Sequence, residues 1–354
     1  MKVPLGSRKI GDGEPCFITF EAGPTHDGLE TAKRLVSHAA KAGADAVKFQ
    51  VVDAERLCAD KELLFPYEVL ADRETGETRT VFEPQYEILR RRMLERDEWR
   101  ELKRHSDSLG LAFFATALFD DEVELLEEIS CDSIKIASGD VNNFPLLRRA
   151  ARMGMCVQLD TGSSSLDEIA KAVEVVREEG NERIIIHQCP SGYPARLESI
   201  NLNIIKTLKE MFPYPVAYSD HTPGWEMDVA AVAMGANLVE KTITEDHTTP
   251  SIEHIMSLEP HEMEGFIRII RDVETAFGTS ERILHETELE KRVVNRRSAF
   301  LERPVKAGDR LGSAEVVFRR PGDGICGDVY ESLLDRTFRI DLPGSHKLSL
   351  EDLA

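Results

Sequence analysis

The sequence predicts an α/β protein: a (β/α)8 TIM barrel followed by a small β-rich domain. Three observations carry this. Eight short apolar runs alternate with eight longer amphipathic ones over roughly 275 residues, the size of such a barrel. The apolar runs end in polar residues, namely Glu21, Lys48, Gln50, Thr116, Lys135, Ser138, Asp160, Ser191 and the tip Ser219-Asp220-His221. Polar groups gathered at the carboxyl ends of parallel strands are where a barrel keeps its chemistry. The turn after the first run reads Ala22-Gly23-Pro24-Thr25-His26-Asp27-Gly28. A doubly wound open sheet, the competing architecture, usually carries a Gly-rich phosphate loop there.

In chain order, strands are expected at 16–21, 44–51, 111–116, 133–137, 156–160, 183–188, 215–219 and 237–243. Helical spacing follows each, at 29–41, 84–109, 121–129, 144–153, 166–179, 201–211, 225–234 and 261–277. Pro84 suits a helix opening, where a missing N–H costs nothing. Gly43, Gly154 and Gly235 stop helices just before strands, as C-cap glycines do. Residues 53–82 form a long charged insertion holding Phe65-Pro66-Tyr67 and Thr75-Gly76, read as a lid or binding loop over the barrel mouth. From 281 to 296 the composition is charged and linker-like; from 297 onward short β-type segments alternate with Gly/Pro turns. The expected organisation is therefore a barrel over 1–280, a linker over 281–296 and a small domain over 297–354. So small a domain has little core of its own and is expected to pack on another surface.

Composition narrows the class. Of 354 residues, 42% are hydrophobic and 31% charged, as in a globular protein. The formal net charge of -20 argues against a nucleic-acid surface, which needs basic stripes. A few local Lys and Arg can still build a positive pocket for an anionic substrate. The six cysteines are scattered without a CxxC pair, which suits reduced thiols in the cytoplasm. No apolar leader and no run of 18 apolar residues occurs, so neither secretion nor a membrane is expected.

Strand alternation puts Lys48 and Gln50 on one face, toward the barrel axis. Lys135 and Ser138 close the fourth strand, with Asp140 just beyond. Two inward lysines at one rim can hold a phosphate or carboxylate as point charges. The alternative is a pair of buried Lys–Glu bridges; burying two ammonium groups without an anionic ligand is costly, which favours the ligand. His221, beside Ser219 and Asp220, suits metal binding or acid–base work, or else a structural role. Glu240 points the same way as Thr242, and Glu245, Asp246, His247, Glu253 and His254 follow. One or two of these carboxylates would complete a hard-cation site of the Mn or Mg kind.

The order of motifs resembles the N-acetylneuraminate (sialic acid) synthase family over nearly the full chain. The resemblance rests on Glu21-Ala22-Gly23-Pro24-Thr25-His26-Asp27-Gly28, Ala42-Gly43-Ala44-Asp45-Ala46-Val47-Lys48-Phe49-Gln50 and Lys135-Ile136-Ala137-Ser138-Gly139-Asp140-Val141-Asn142-Asn143. Thr161-Gly162, Tyr193-Pro194-Ala195, Tyr218-Ser219-Asp220-His221-Thr222 and Ser257-Leu258-Glu259-Pro260 continue it. The tail from Arg297, with Arg320-Pro321-Gly322-Asp323-Gly324, is similar to that family's antifreeze-like (SAF) domain. The resemblance implies condensation of phosphoenolpyruvate with an open-chain amino sugar, releasing phosphate and a nine-carbon 2-keto acid. It implies that Lys48, Thr116, Lys135, Ser138 and Ser219 hold phosphoenolpyruvate and that Glu21 is a general acid or base. Gln50, Asp140, Ser191, Tyr193 and Glu253 would touch the sugar. His221, helped by Glu240, would hold a metal that polarises the aldehyde oxygen. Arg320 would reach the partner subunit's site in a domain-swapped homodimer.

Several positions depart from the family pattern. Thr242 stands at the family's second metal-binding His and is a poor ligand. Asp160 replaces a Ser near the phosphate. A carboxylate about 4 Å from a phosphate charge costs roughly 4 kcal/mol at an effective dielectric of 20. Asp160 must therefore be turned away, protonated or metal-bridged, or the donor is bound differently. Asp140 and Glu253 exchange Glu for Asp and Asp for Glu, and Thr25 replaces an Asn. Two other readings stay open: an aldolase or lyase with a Schiff-base lysine, motivated by Asp160, and a non-catalytic sugar-binding protein, motivated by Thr242.

Overall fold

The computed structural model describes residues 1–354. The chain opens on an antiparallel hairpin, β1 (Val3–Leu5) and β2 (Arg8–Ile10), which the sequence reading passed over. Strands β3 (Phe17–Glu21) and β4 (Ala46–Gln50) begin the barrel. A second hairpin, β5 (Leu64–Leu70) and β6 (Thr78–Pro84), interrupts it. The barrel resumes with β7 (Ala112–Thr116), β8 (Ser133–Ile136), β9 (Cys156–Asp160), β10 (Ile184–Gln188), β11 (Val216–Asp220) and β12 (Leu238–Thr242). These eight strands close in the order β3-β4-β7-β8-β9-β10-β11-β12, every neighbouring pair parallel. Each lies within two residues of its predicted span.

Alternation along the strands sorts side chains between the two faces of the wall. Ile18 and Phe20 of β3 point outward into the layer shared with the helices. Phe17 points to the axis with Ala46, Phe114, Cys156, Ile185, Ala217 and Leu238, one apolar residue from each of seven strands. Val3, Leu5 and Ile10 of the first hairpin pack against this layer and plug the barrel's amino-terminal end. Above the apolar floor the axis-facing positions turn polar: Lys48, Lys135, Gln158, His187, Ser219 and Glu240, all buried. The barrel is thus sealed below and chemically active only at its mouth.

Helix ends follow the expected chemistry. Gly43, Gly154 and Gly235 have φ of 91°, 71° and 101°, the left-handed region open to glycine. The expected helix at 84–109 is instead divided. Pro84 ends β6 and precedes a helix at Gln85–Arg90; the chain bends, and a second helix spans Arg96–Ser108. The Glu98 carboxylate accepts the Glu95 N–H at 2.7 Å, fixing the new start. Residues 53–82, read as a loop, carry the helical turn Ala54–Leu57 and most of the β5–β6 hairpin. Its turn is set by Asp72, which accepts from the Glu74 and Thr75 N–H groups at 2.7 and 2.9 Å, and by Gly76 with φ 70°. Tyr67, Val69 and Ile88 form its own small apolar cluster.

The chain divides into compact units at Met1–Gly278 and Thr279–Ala354. The segment expected as a linker carries the helix Glu286–Asn295 and groups with the second unit. That unit pairs β13 (Ser298–Leu301) antiparallel with β14 (Val316–Arg319). Its core includes Ala299, Leu301, Leu311, Ile325, Phe338 and Leu348. No helix of the chain is long and apolar enough to cross a membrane.

The floor layer yields a prediction. Phe114 is fully buried at the barrel axis, so Phe114→Ala should cost about 3–5 kcal/mol. Urea unfolding of the two proteins measures it; a loss under about 1 kcal/mol would mean that the floor is not a close-packed layer.

Candidate active site

A cavity of about 270 Å³ opens at the carboxyl ends of the barrel strands. Of the predicted residues, Glu21, Lys48, Gln50, Thr116, Ser138, Tyr193, His221, Glu240 and Glu253 line it, as does Asp160. At its floor lies an ion-pair network built by strand register. Ser219 of β11 is level with Glu240 of β12, and Glu21 of β3 with Lys48 of β4. Both Glu240 oxygens accept from Lys135 Nζ at 2.7 Å, and Oε1 also accepts from Lys48 Nζ at 3.2 Å. Lys48 is further ion-paired to Glu21, and Lys135 to Asp160 at 2.9 Å. Lys135 Nζ also donates to Ser219 Oγ at 3.0 Å, and that hydroxyl donates to Asp160 at 3.1 Å. Two ammonium groups therefore face three carboxylates, a net charge of minus one when all are ionised.

This arrangement corrects three expectations. The buried Lys–Glu bridges that the sequence reading ranked second are formed, so the carboxylates already supply the counter-charge. Glu240 was expected beside a metal, but both its oxygens are engaged by lysines. Lys135 and Ser219, expected to hold phosphoenolpyruvate, lie beneath the cavity floor rather than on its lining; Lys135 is 0% exposed. Asp160 has neither turned away from the cavity nor been left alone, because Lys135 and Ser219 hold it.

The network also sets proton affinities. Burial opposes the charge on Glu240, yet Lys135 and Lys48 pull it well below the usual carboxylate range. Burial likewise opposes the charge on Lys48, but Glu21 and Glu240 hold its ammonium well above the ordinary lysine value. Glu21 is pushed upward by burial and, against the pull of Lys48, by the nearby Glu240 charge. Its Oε1 accepts the Gly23 N–H at 2.6 Å.

Glu253 and His221 stand on the same cavity. Burial, and then the Glu21 charge, push Glu253 up to about 7. Its φ of 79° is a left-handed conformation that a Glu rarely adopts, the kind of backbone strain that collects at functional positions. Thr242 Oγ1 donates to Glu253 at 3.2 Å. His221 pairs Nδ1 with the Pro190 carbonyl at 3.0 Å, which leaves Nε2 for the cavity, and burial lowers its basicity. Its ring centroid lies 4.5 Å from that of Tyr193. Asp220, between Ser219 and His221, points outward by strand alternation. There it accepts from Tyr218, Thr222 and Lys241 and braces the strand tip.

The donor set for a divalent cation is thin. His221 Nε2 is one nitrogen, Thr242 spends its hydroxyl on Glu253, and no three His, Cys, Asp or Glu side chains converge. These residues do not fit a metal held by protein ligands alone.

The remaining predicted residues lie off the lining. Asp140 accepts from Asn143 Nδ2 at 3.0 Å, and Ser191 pairs with Ser163 at 2.7 Å. Arg320 belongs to the second unit, where its Nε donates to the Asn295 carbonyl at 3.0 Å. Gly162 is required where Ser138 Oγ accepts its N–H at 3.0 Å, since a Cβ there would lie 2.8 Å from that oxygen. Sequence reasoning missed His187 and Gln158. The fully buried His187 meets Ser219 Oγ at 2.9 Å and Gln158 Oε1 at 2.8 Å, extending the polar network across the axis. Alternation from Ile185 would have placed His187 inward, but the run Ile184-Ile185-Ile186 reads as plain core.

Removing Glu240 should be costly, because it takes one counter-charge from each of two buried ammonium groups, leaving Lys48 with Glu21 and Lys135 with Asp160. Glu240→Leu is expected to lose about 1–3 kcal/mol at neutral pH. Because Glu240 titrates lower in the folded protein, its stabilisation is complete above the unfolded value of 4.5 and fades as pH falls through the lower folded value. The gap between wild type and variant in urea unfolding should therefore narrow below about pH 4.5; a gap that widens there contradicts the network.

Comparison with known proteins agrees with this geometry. The N,N'-diacetyllegionaminic acid synthase of Legionella pneumophila is 32% identical over 353 residues, covering 98% of this chain and 97% of that protein. The human N-acetylneuraminate-9-phosphate synthase is 35% identical over 284 residues, 80% of this chain and 77% of that one. A crystal structure of N-acetylneuraminic acid (sialic acid) synthetase from Leptospira borgpetersenii serovar Hardjo-bovis, in complex with citrate, superposes with a TM-score of 0.70. It has 31% identity and covers 82% of this chain and 95% of that chain. Residues 35–282 match the NeuB family model. With its lysine–carboxylate network at the mouth of an eight-stranded barrel, the chain belongs to the NeuB family.

Proposed function

We propose that the barrel condenses phosphoenolpyruvate with an open-chain hexose or N-acylhexosamine, giving a nonulosonic, sialic-acid-like 2-keto acid and phosphate. The observation that carries this is the paired lysines, Lys48 and Lys135, fixed by Glu240 beneath a cavity rimmed by Thr116, Ser138 and Gln50. Lys48 presents an ammonium whose charge is secured, as a donor phosphate or carboxylate requires. Lys135 and Ser219 act from below by orienting Glu240 and Asp160.

The chemistry needs one acid and one base. Water adds to C2 of phosphoenolpyruvate while C3 forms a bond to the aldehyde carbon. The water gives up a proton, the aldehyde oxygen gains one, and collapse at C2 breaks the C–O bond to release phosphate. Glu21 and Glu253 both face the cavity; burial makes each harder to ionise, with the Glu240 charge adding to this at Glu21 and the Glu21 charge at Glu253. Two such carboxyls can divide the roles, one ionised to receive the water proton and one protonated to serve the aldehyde. We assign the protonated role to Glu253, held near neutrality, and the base role to Glu21 beside Lys48. Gln50 and Tyr193 are placed to contact the sugar.

A Mn or Mg ion brought in with substrate would have His221 as its protein nitrogen, so metal is varied in the assay. The small unit is read as an antifreeze-like domain whose Arg320 completes the acceptor site of a second copy, and the protein as cytoplasmic. The aldolase reading finds little support: Lys48 and Lys135 are both ion-paired to carboxylates, whereas a Schiff-base lysine needs surroundings that free its amine.

Incubation with phosphoenolpyruvate and a panel of hexoses and N-acylhexosamines, with and without Mn or Mg, tests the reading. Phosphate and 2-keto acid should appear in equal amounts with at least one acceptor; neither product with any acceptor would sink it. In the active enzyme kcat should decline above about pH 7 as Glu253 loses its proton. Glu253→Gln should lower kcat by about 100-fold or more and abolish that alkaline limb. An unchanged limb in the variant would assign it to another group.

A further inference from the structure

We propose that the β5–β6 hairpin is a clamp on the loop after β12, holding Glu253 in the conformation that its proton transfer needs. The inference rests on the synthase reading above and deepens it by naming the residues that position the assigned acid. Glu253 lies in the left-handed region, with φ 79°. Strained backbone of this kind persists only where its surroundings over-determine it. The contacts on the two sides of Glu253 come from different parts of the chain. On the carboxyl side they are local: Ser257 Oγ donates to the Glu253 carbonyl at 2.7 Å, and His254 Nδ1 meets Thr244 Oγ1 at 2.7 Å. On the amino side they come from the hairpin and the helix that follows it.

Three attachments make the clamp. Alternation gathers Phe65, Tyr67 and Val69 of β5 with Val81 of β6 on one face of the hairpin. Ile252, the residue before Glu253, packs against the cluster that they form with Ile88. The buried Arg92 donates from Nη2 to Ser251 Oγ at 3.2 Å, its only side-chain hydrogen bond. At the hairpin turn, Arg73 donates from Nη1 to Glu259 Oε2 at 3.0 Å and from Nη2 to Asp246 Oδ1 at 2.6 Å. Asp246 and Glu259 stand at the two ends of the loop, so one guanidinium ties both of its roots. Each root also grips the loop itself, since Asp246 accepts the Thr248 N–H and Glu259 the His247 N–H, both at 2.8 Å.

The sequence suggested a lid over the barrel mouth, but no residue of β5 or β6 lines the reaction cavity. The hairpin reaches the chemistry only through the loop that it holds. Arg92 adds a charge to this mechanical hold. Burial works against its guanidinium, and Glu253 is the first of the neighbouring charges that support it. At Glu253, burial and the Glu21 charge oppose ionisation, while Arg92 and then Lys48 favour it. Arg92 is therefore a positioning residue that also tempers the acidity of the group it positions.

The test measures kcat and KM with phosphoenolpyruvate and any acceptor that the enzyme turns over. Ile252→Ala should lower kcat by about tenfold or more, and Arg73→Ala, at an exposed position, by about threefold, because small misplacements of a reacting group are costly. KM for phosphoenolpyruvate should stay within about twofold, since Lys48, Thr116 and Ser138 are untouched. In a Glu253→Gln background the same substitutions should cost no further activity, whereas a merely structural loss would persist there. Arg92→Gln should move the alkaline limb of kcat upward by about half a unit or more, because Glu253 loses a positive neighbour, and Arg92→Lys should restore it. A kcat unchanged in both hairpin-side variants, undiminished losses in the Glu253→Gln background, or an unmoved limb in Arg92→Gln would overturn the clamp. If no acceptor is turned over, the synthase reading fails, and hydrogen–deuterium exchange of the loop decides the clamp. Exchange over residues 246–258 that is about tenfold faster in Ile252→Ala, with the barrel strands unchanged, retains it. Unchanged exchange overturns it.

Discussion

Glu240 is the residue on which the candidate site depends. It binds both lysines of the barrel mouth, so the two cations most able to hold an anionic donor are positioned by one carboxylate. Lysine pairs at a barrel rim repel each other and carry long, mobile stems. A shared counter-ion removes the repulsion and fixes both stems, while Asp160 and Glu21 bind the outer flank of each ammonium. The apolar floor matters for the same reason. With Phe17, Phe114 and Leu238 sealing the axis below, the ion pairs rest on an apolar floor that strengthens them.

This excess of carboxylate has a chemical consequence. A positive pocket would attract phosphoenolpyruvate by charge alone. The network here carries one more carboxylate than ammonium, so a donor with two or three negative charges cannot simply be added. Room for it must come from protonation of a carboxylate that already resists ionisation. Glu253 is that group, and it is the one assigned the protonated role, while Glu21 stays ionised beside Lys48. The electrostatic readiness of the site and its acid–base chemistry are then one property. Asp160 belongs to the same account: beside a phosphate it would be a liability, but joined to Lys135 and Ser219 it is part of the scaffold that aligns the lysine.

Much of the barrel could be read from sequence because its signals are local. Period-two alternation, C-cap glycines and polar strand ends each span a few residues, and all eight strands were located by them. The pairing of Lys48 with Glu240 is different, because the partners are 192 residues apart and meet only once the barrel closes. No local pattern distinguishes a lysine awaiting a ligand from one already bridged. The β5–β6 hairpin was hidden by exposure: its strands are largely solvent-facing, so apolar residues do not mark both edges and its charged turn looked like loop. Arg92 was hidden by its neighbours. Within Arg90-Arg91-Arg92 it resembles a solvated helix face, and only the bend after Arg90 turns it inward. The first hairpin was passed over because two three-residue strands fall below any periodic signal.

The central claim is that the donor enters a site whose cations are already neutralised, so that binding must bring protons with it. Isothermal calorimetry of phosphoenolpyruvate binding, repeated at one pH in buffers of different ionisation enthalpy, measures this directly. The account predicts binding linked to uptake of about one proton or more near pH 7.5, seen as a slope of observed enthalpy against buffer enthalpy. Binding with no proton uptake, or with proton release, would contradict it.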